Sequence, residues 1–208
     1  MIAMLDTSED LTVAEAELGC TVEQLLTPLT RFTRQHPEAM FAIDNGAFAG
    51  FNPQGFRSLL EREAGAMHLC RFVTVPDVVG SARRTLEAFS HWRGQLPGWP
   101  LALAAQDGIE DLEIPWCFIK AVFVGGSTDW KLGNHAKAVI ACAKVMGKWV
   151  HVGRVNTPGR FEYFEDLGAD SIDGTGLSRY SWMRQRIYEA SRAPRLFDNA
   201  ETVAQVQS

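Results

Sequence analysis

The chain has no C-x-x-C pair. Its four cysteines, Cys20, Cys70, Cys117 and Cys142, are widely spaced, which argues against a zinc site or a disulfide framework. Cys70 and Cys117 sit among apolar neighbours and read as small core residues. No apolar run is long enough to span a bilayer, and the opening MIAMLDTSED lacks the basic start of a signal peptide. A cytoplasmic protein without membrane contact is the expectation. Basic charge is also in short supply. Twenty Lys and Arg face 25 Asp and Glu, a net charge of −5 that does not advertise a polyanion partner.

That charge is unevenly placed. Residues 1–30 hold six acids and no Lys or Arg, whereas residues 179–195 hold five arginines against Glu189. The arginine segment could form a local phosphate-binding face, or the solvated side of an amphipathic helix. No low-complexity linker, second domain or internal repeat shows beyond one recurring rhythm.

The rhythm is a short apolar run that ends in small polar residues and leads into a helical stretch. The runs are FAIDNGAF (41–48), FVTVPD (72–77), LALAAQDG (101–108), VFVGGST (122–128), WVHVGRVN (149–156) and ADSIDGTG (169–176). Buried strands alternating with helices are the pattern of a (β/α) barrel, where strand C-termini converge on one mouth. With MIAML the strands number seven. At 208 residues the chain is short for the full fold. The expected architecture is α/β: a compact TIM-like barrel, incomplete or irregular near its N-terminus. It forms a single domain over 1–195, followed by a polar tail at 196–208.

Between the strands, Thr21-Val-Glu-Gln24 resembles a capping box that opens a helix through about Phe32. Asn52-Pro53 starts a helix to about Glu63, and Ser81 can cap one to Trp92. Lys131–Met146 has helical spacing and stops at Gly147. Thr157-Pro158 opens a helix that ends at Gly168, and a last helix runs from about Tyr180 to Ala193. The tail after Pro194 is expected to fray.

Two strand ends carry an aspartate with a glycine one or two residues on: Asp44 in Ile-Asp-Asn-Gly and Asp173 in Ser-Ile-Asp-Gly. Carboxylates facing each other across a mouth suit glycosyl chemistry, one attacking the anomeric carbon and the other moving a proton. Either could instead cap the next helix, since Asp-Gly is a common turn. Asp77 and Gln106 end neighbouring strands and can read the hydrogen-bonding edge of a heterocycle. Gly125-Gly126 can let a flat ring lie close, cradle a phosphate at a helix N-terminus, or make a tight turn. Phe48, Trp130 and Tyr180 lie where an aromatic could stack on a base or pack at the rim. His151, between Val150 and Val152, reads as a core or lumen histidine. Lys131, Arg154 and Arg179 are candidate phosphate contacts. His135 has no second ligand at metal spacing, and neither a metal nor a cofactor is assigned.

In this order the strand ends resemble the tRNA-guanine transglycosylase superfamily, which includes enzymes that modify DNA with 7-deazaguanines. The likeness covers roughly residues 40–180. IDNGAF is similar to the family's Asp-Ser-Gly-Gly-Phe, AAQDG to Val-Gln-Gly-Gly, and HVGRV to Leu-Met-Gly-Val-Gly. GADSIDGTGLSR is similar to Gly-Ile-Asp-Met-Phe-Asp-Cys-Val…Thr-Arg. The resemblance implies a proton-transferring Asp44, a nucleophilic Asp173, base recognition by Asp77, Gln106, Gly125 and Gly126, and a structural Asp170. The family's tRNA enzymes carry a zinc-binding C-terminal region that has no counterpart here. The expected function is therefore a DNA glycosylase that flips out and excises a modified base. Base exchange on DNA or tRNA, a small-metabolite barrel and a non-catalytic subunit are the alternatives. The expected partner is nucleic acid, DNA rather than tRNA, and a homodimer is an open alternative.

Overall fold

The computed structural model describes residues 1–192. The expected tail at 196–208, the fraying after Pro194 and the arginine at 195 lie outside them. Eight parallel strands close into a barrel in chain order. They are β1 (Ile2–Leu5), β2 (Val22–Leu26), β3 (Phe41–Ile43), β4 (Cys70–Thr74), β5 (Leu101–Ala105), β6 (Ala121–Val124), β7 (Trp149–Val152) and β8 (Ser171–Asp173). Ala3 lies opposite both Val22 and Ile172, so β1 pairs with β2 and with β8 and closes the ring. The helices are α1 (Leu11–Leu18), α2 (Pro53–Glu63), α3 (Ala82–Trp92), α4 (Thr128–Leu132), α5 (Asn134–Val145), α6 (Pro158–Asp166), α7 (Thr175–Arg179) and α8 (Ser181–Arg192). Among the described residues, no helix is long and apolar enough to cross a membrane.

Strand side chains alternate between two cores. Ala3, Leu5, Phe41 and Ile43 pack with the helices, together with Phe56, Phe89 and Phe164. Met4, Leu25, Ala42, Phe72, Ala102 and Ala121 form a separate cluster in the barrel interior. Each large side chain buried in either layer contributes roughly 1.5–3 kcal/mol. The three alanines inside the barrel fill little of it, and the room is left towards the strand C-termini.

Three expectations are corrected. The barrel is complete: residues 22–26, expected in a helix, form the eighth strand. All five are buried, and Gln24 pairs in register with Phe41. Closing the ring outweighs the local capping signal, and β2 gives its polar side chains partners. Glu23 accepts from Arg71 Nε and Nη2, each at 2.5 Å, and Gln24 bonds to Thr7 O and Gln35 N. The helix before it is α1, capped by Asp10 and ended by Gly19 in the left-handed region. The helix expected over 131–146 is divided at Gly133 into α4 and α5, with Ser127 capping α4. Cys117 is exposed, whereas Cys70 is buried.

Part of the uneven charge is paired internally. Arg184 on α8 is 2% exposed and bonds Glu17 and Glu9 from the acidic N-terminal segment, with Leu177 O as a third acceptor. One of the arginines expected on a phosphate-binding or solvated face is thus a buried clamp between α8 and α1.

Candidate active site at the barrel mouth

Continuing the inward-facing alternation one step past the apolar layer gives the mouth. Met4 leads to Asp6, Leu25 to Thr27, Ala42 to Asp44, Phe72 to Thr74, Ala102 to Ala104, Ala121 to Phe123, and Ser171 to Asp173. All seven line two adjoining cavities. The first, about 150 Å³, adds Asn45, Phe48, Asp77, Gln106, Gly125 and Arg154. The second, about 280 Å³, adds Ser178 and Arg179 beside Asp6 and Thr27. Asp44, Phe48, Asp173 and Thr175 line both.

Asp44 lies one residue past β3, anchored by its N–H on Leu26 O at 2.8 Å. The β3–β4 register shifts between Phe41 and Ile43, an irregularity of the kind that re-aims side chains beside a site. Burial, then the charges of Asp173 and Asp77, push the Asp44 carboxyl up to about 7, against backbone N–H bonds from Asn45 and Gly46. Such a carboxyl can hold a proton near neutral pH and release it.

Asp173 ends β8 and is held at both oxygens. Oδ1 accepts from the backbone N–H of Arg154 at 3.0 Å, and Oδ2 lies 3.0 Å from His151 Nε2. His151 is fully buried, with its other ring nitrogen 2.8 Å from Ser171 Oγ. It is the lumen histidine that the strand pattern suggests, and it also touches a candidate catalytic group. Gly153 permits this packing: a Cβ there would come within 2.8 Å of the Phe123 ring and 3.3 Å of Asp173 Oδ2.

The first cavity has a polar wall. Asp77 accepts from Gln106 Nε2 at 2.7 Å and from Asn45 Nδ2 at 2.9 Å. Gln106 Oε1 accepts from Gly80 N, and Asn45 Oδ1 from Ala47 N. Burial raises the Asp77 carboxyl, and the bonds from Asn45 and Gln106 oppose that rise. Thr74 Oγ1 is buried with no hydrogen-bond partner among the described residues.

Gly125 and Gly126 lie at the mouth, but their backbone groups are engaged. Both N–H groups donate to Ala105 O, and both carbonyls accept from Arg154 Nη2 at 2.5 and 2.6 Å. Arg154 reaches them from a left-handed backbone, φ 62°, uncommon outside glycine. Its guanidinium also lies 4.6 Å over the ring of Phe48, which is 70% exposed, and the pair roofs the first cavity.

Lys131 is 3% exposed and donates to Gly153 O at 2.5 Å. Burial, then the Arg154 charge, lower it to about 8, while Asp173 opposes. It stands behind the mouth rather than on the surface where a phosphate would pass. Arg179 lines the second cavity near Asp6, whose carboxyl burial raises, with bonds from Thr30 and Thr27 and the Arg179 charge opposing. Trp130 is buried and bonds Glu110; Tyr180 is half exposed beside Trp182. Asp170 is tied to Lys144 and to Val150 N.

The sequence reading did not single out Asn45, Thr74, Phe123, Asp6 or Thr175. The period-two alternation marks Asp6, Thr74 and Phe123. Asn45, inside IDNG, bears the signal of an Asx turn.

No family model and no curated protein matches the chain. Solved structures do. A mandelate oxidase mutant with a monooxide FMN adduct is 16% identical, with a TM-score of 0.54 over 88% of this chain and 67% of that one. The phosphoribosyl anthranilate isomerase from Thermus thermophilus is 15% identical, with a TM-score of 0.48 over 93% and 99%. A native KDPGal structure is also 15% identical, with a TM-score of 0.47 over 92% and 93%. At these identities the likeness is one of fold: the chain is a TIM-barrel-like α/β protein.

Proposed function

We propose that this barrel is an enzyme that breaks the N-glycosidic bond of a modified nucleobase in DNA, releasing the base. The observation that carries the reading is the junction of the two cavities, where Asp44 and Asp173 line both. The first cavity is smaller than the ~300–1,000 Å³ of sites that enclose whole ligands, so it suits one ring system. The remaining lone pairs of Asp77 and the second Nε2 hydrogen of Gln106 give that ring hydrogen-bonding partners. Asn45, whose amide hydrogens go to Asp77 and Val75 O, holds Asp77 in place, and Phe48 with Arg154 covers the ring. The sugar and its phosphates occupy the second cavity. Among the described residues lining that cavity, Arg179 is the cation available to them, with Arg154 on the adjoining first cavity. The bond between base and sugar then falls between the two carboxylates. A nucleotide reaches this depth by leaving its stack.

In the reaction Asp173 attacks the anomeric carbon. The bond to the base nitrogen breaks, its electron pair stays on the base, and the proton of Asp44 neutralises it. Asp44, now a carboxylate, takes a proton from water as that water attacks the same carbon and frees Asp173. The products are a free base and an abasic sugar. A second base attacking in place of water gives base exchange with the same residues.

The choice of DNA over tRNA rests on the sequence resemblance alone. A small-metabolite barrel would use Gly125-Gly126 as its phosphate cradle, and the engagement of both N–H groups by Ala105 O counts against it. Retention of both carboxylates counts against a non-catalytic subunit. The reading is tested by Asp44→Asn and Asp173→Asn: each abolishes base release, and full activity in either variant contradicts it.

A further inference from the structure

We infer that Trp149, Ser171 and His151 form a hydrogen-bond chain of fixed direction that climbs the barrel lumen and ends on Asp173, making His151 the residue that positions it. The functional weight of this chain rests on the role proposed for Asp173; its geometry does not.

The strand period builds the chain. Trp149 and His151 alternate on β7, Ser171 and Asp173 alternate on β8, and His151 is paired in register with Ser171. Four inward side chains thus stack in two steps. Trp149 Nε1 lies 2.8 Å from Ser171 Oγ, Ser171 Oγ lies 2.8 Å from His151 Nδ1, and His151 Nε2 lies 3.0 Å from Asp173 Oδ2.

The direction follows from the first link. An indole N–H only donates, so Ser171 Oγ accepts there. Ser171 is fully buried, and its own hydroxyl proton needs an acceptor. His151 Nδ1 is the acceptor within reach, which leaves the ring proton on Nε2, facing Asp173. The opposite tautomer sets a bare Nε2 lone pair against a carboxylate oxygen at 3.0 Å, two acceptors with no proton between them. The His151 ring is shielded between Phe72 and Phe123, with centroids at 5.1 and 4.7 Å, and is 0% exposed. With the Arg154 N–H on Oδ1, both Asp173 oxygens have a donor, which fixes the rotamer and leaves one lone pair on each oxygen towards the mouth.

The test reads the ring nitrogens directly and needs no substrate. Protein labelled with ¹⁵N-histidine is examined by NMR at pH 8, and the His151 signals are assigned by their loss in His151→Gln. The expected result is a protonated Nε2 and a bare Nδ1 in the wild type, and in Ser171→Ala the same tautomer with the Nδ1 resonance moved downfield by the loss of the Ser171 hydroxyl that donates to it. A wild-type proton on Nδ1, or a Ser171→Ala spectrum identical to wild type, overturns the chain. The wild-type spectrum decides the direction even if the variant fails to fold. A protein that releases no base leaves this result standing, and a wrong tautomer leaves base release standing.

Discussion

Gln106 donates to Asp77 at 2.7 Å, from the residue after β5 to the loop after β4. Asn45, one residue beyond Asp44, donates to the other Asp77 oxygen at 2.9 Å. The wall that would read a base is therefore tied to the residue beside the proton donor. In the proposed reaction the loop after β3 thus carries both the proton donor, Asp44, and Asn45, which holds the base-reading Asp77.

Removing either donor leaves Asp77 with an unpaired buried oxygen, a cost of about 1–3 kcal/mol. Asn45→Ala and Gln106→Ala should raise KM for the base-bearing substrate about ten- to a hundredfold, with a smaller change in kcat. Steady-state kinetics of base release checks this.

The Asp44 carboxyl, pushed up to about 7, gives two pH effects. Base release that needs its proton falls as pH rises above about 7, close to tenfold per unit. Stability moves the same way. The folded state binds this proton more tightly than the unfolded state, so stability is fullest below about 4, is lost as pH rises to about 7, and stays lower above that. Asp44→Asn should be more stable than wild type at pH 8 by a few kcal/mol, and the difference should vanish near pH 4. Thermal melts across that range measure it.

Gly153→Ala places a Cβ 2.8 Å from the Phe123 ring and 3.3 Å from Asp173 Oδ2. Overpacking of this kind costs about 1–3 kcal/mol. The displaced Asp173 should also lower kcat, on the order of a hundredfold for a shift near 1 Å. Denaturant unfolding and kinetics read the two effects separately.

Arg184→Ala leaves Glu17 beside an empty buried site. Burial raises the Glu17 carboxyl, but bonds from Ser181 and Arg184 and the Arg184 charge outweigh it and hold the group low. Loss of the clamp should cost about 2–3 kcal/mol at pH 7, discounted for the partial exposure of Glu9 and Glu17. In the wild type the Glu17 contribution is present above the ordinary carboxylate range and is lost as pH falls through its lowered value. Urea melts at pH 7 and pH 3 check the size and the sign.

The strands from β3 to β8 were legible because each is an apolar run ended by small polar residues. Asp44, Asp77, Gln106 and Asp173 stood at those ends. β2 was not legible: VEQLL carries two polar residues whose partners, Arg71, Thr7 and Gln35, are distant in sequence or in loops. The engagement of Gly125 and Gly126 was hidden for a related reason. It depends on Ala105 and on the left-handed turn of Arg154, and neither is written in the GGS motif. The contact of His151 with Asp173 needed the β7–β8 register as well as the period.

The most direct test of the account is base release. Purified protein is incubated with natural and hypermodified phage DNAs, with tRNA and with free nucleosides. Freed bases are read by mass spectrometry and abasic sites by strand cleavage. The account predicts a modified base released from DNA with a matching abasic site, abolished by Asp173→Asn. Silence on every polymer and nucleoside, or release undiminished in Asp173→Asn, would contradict it.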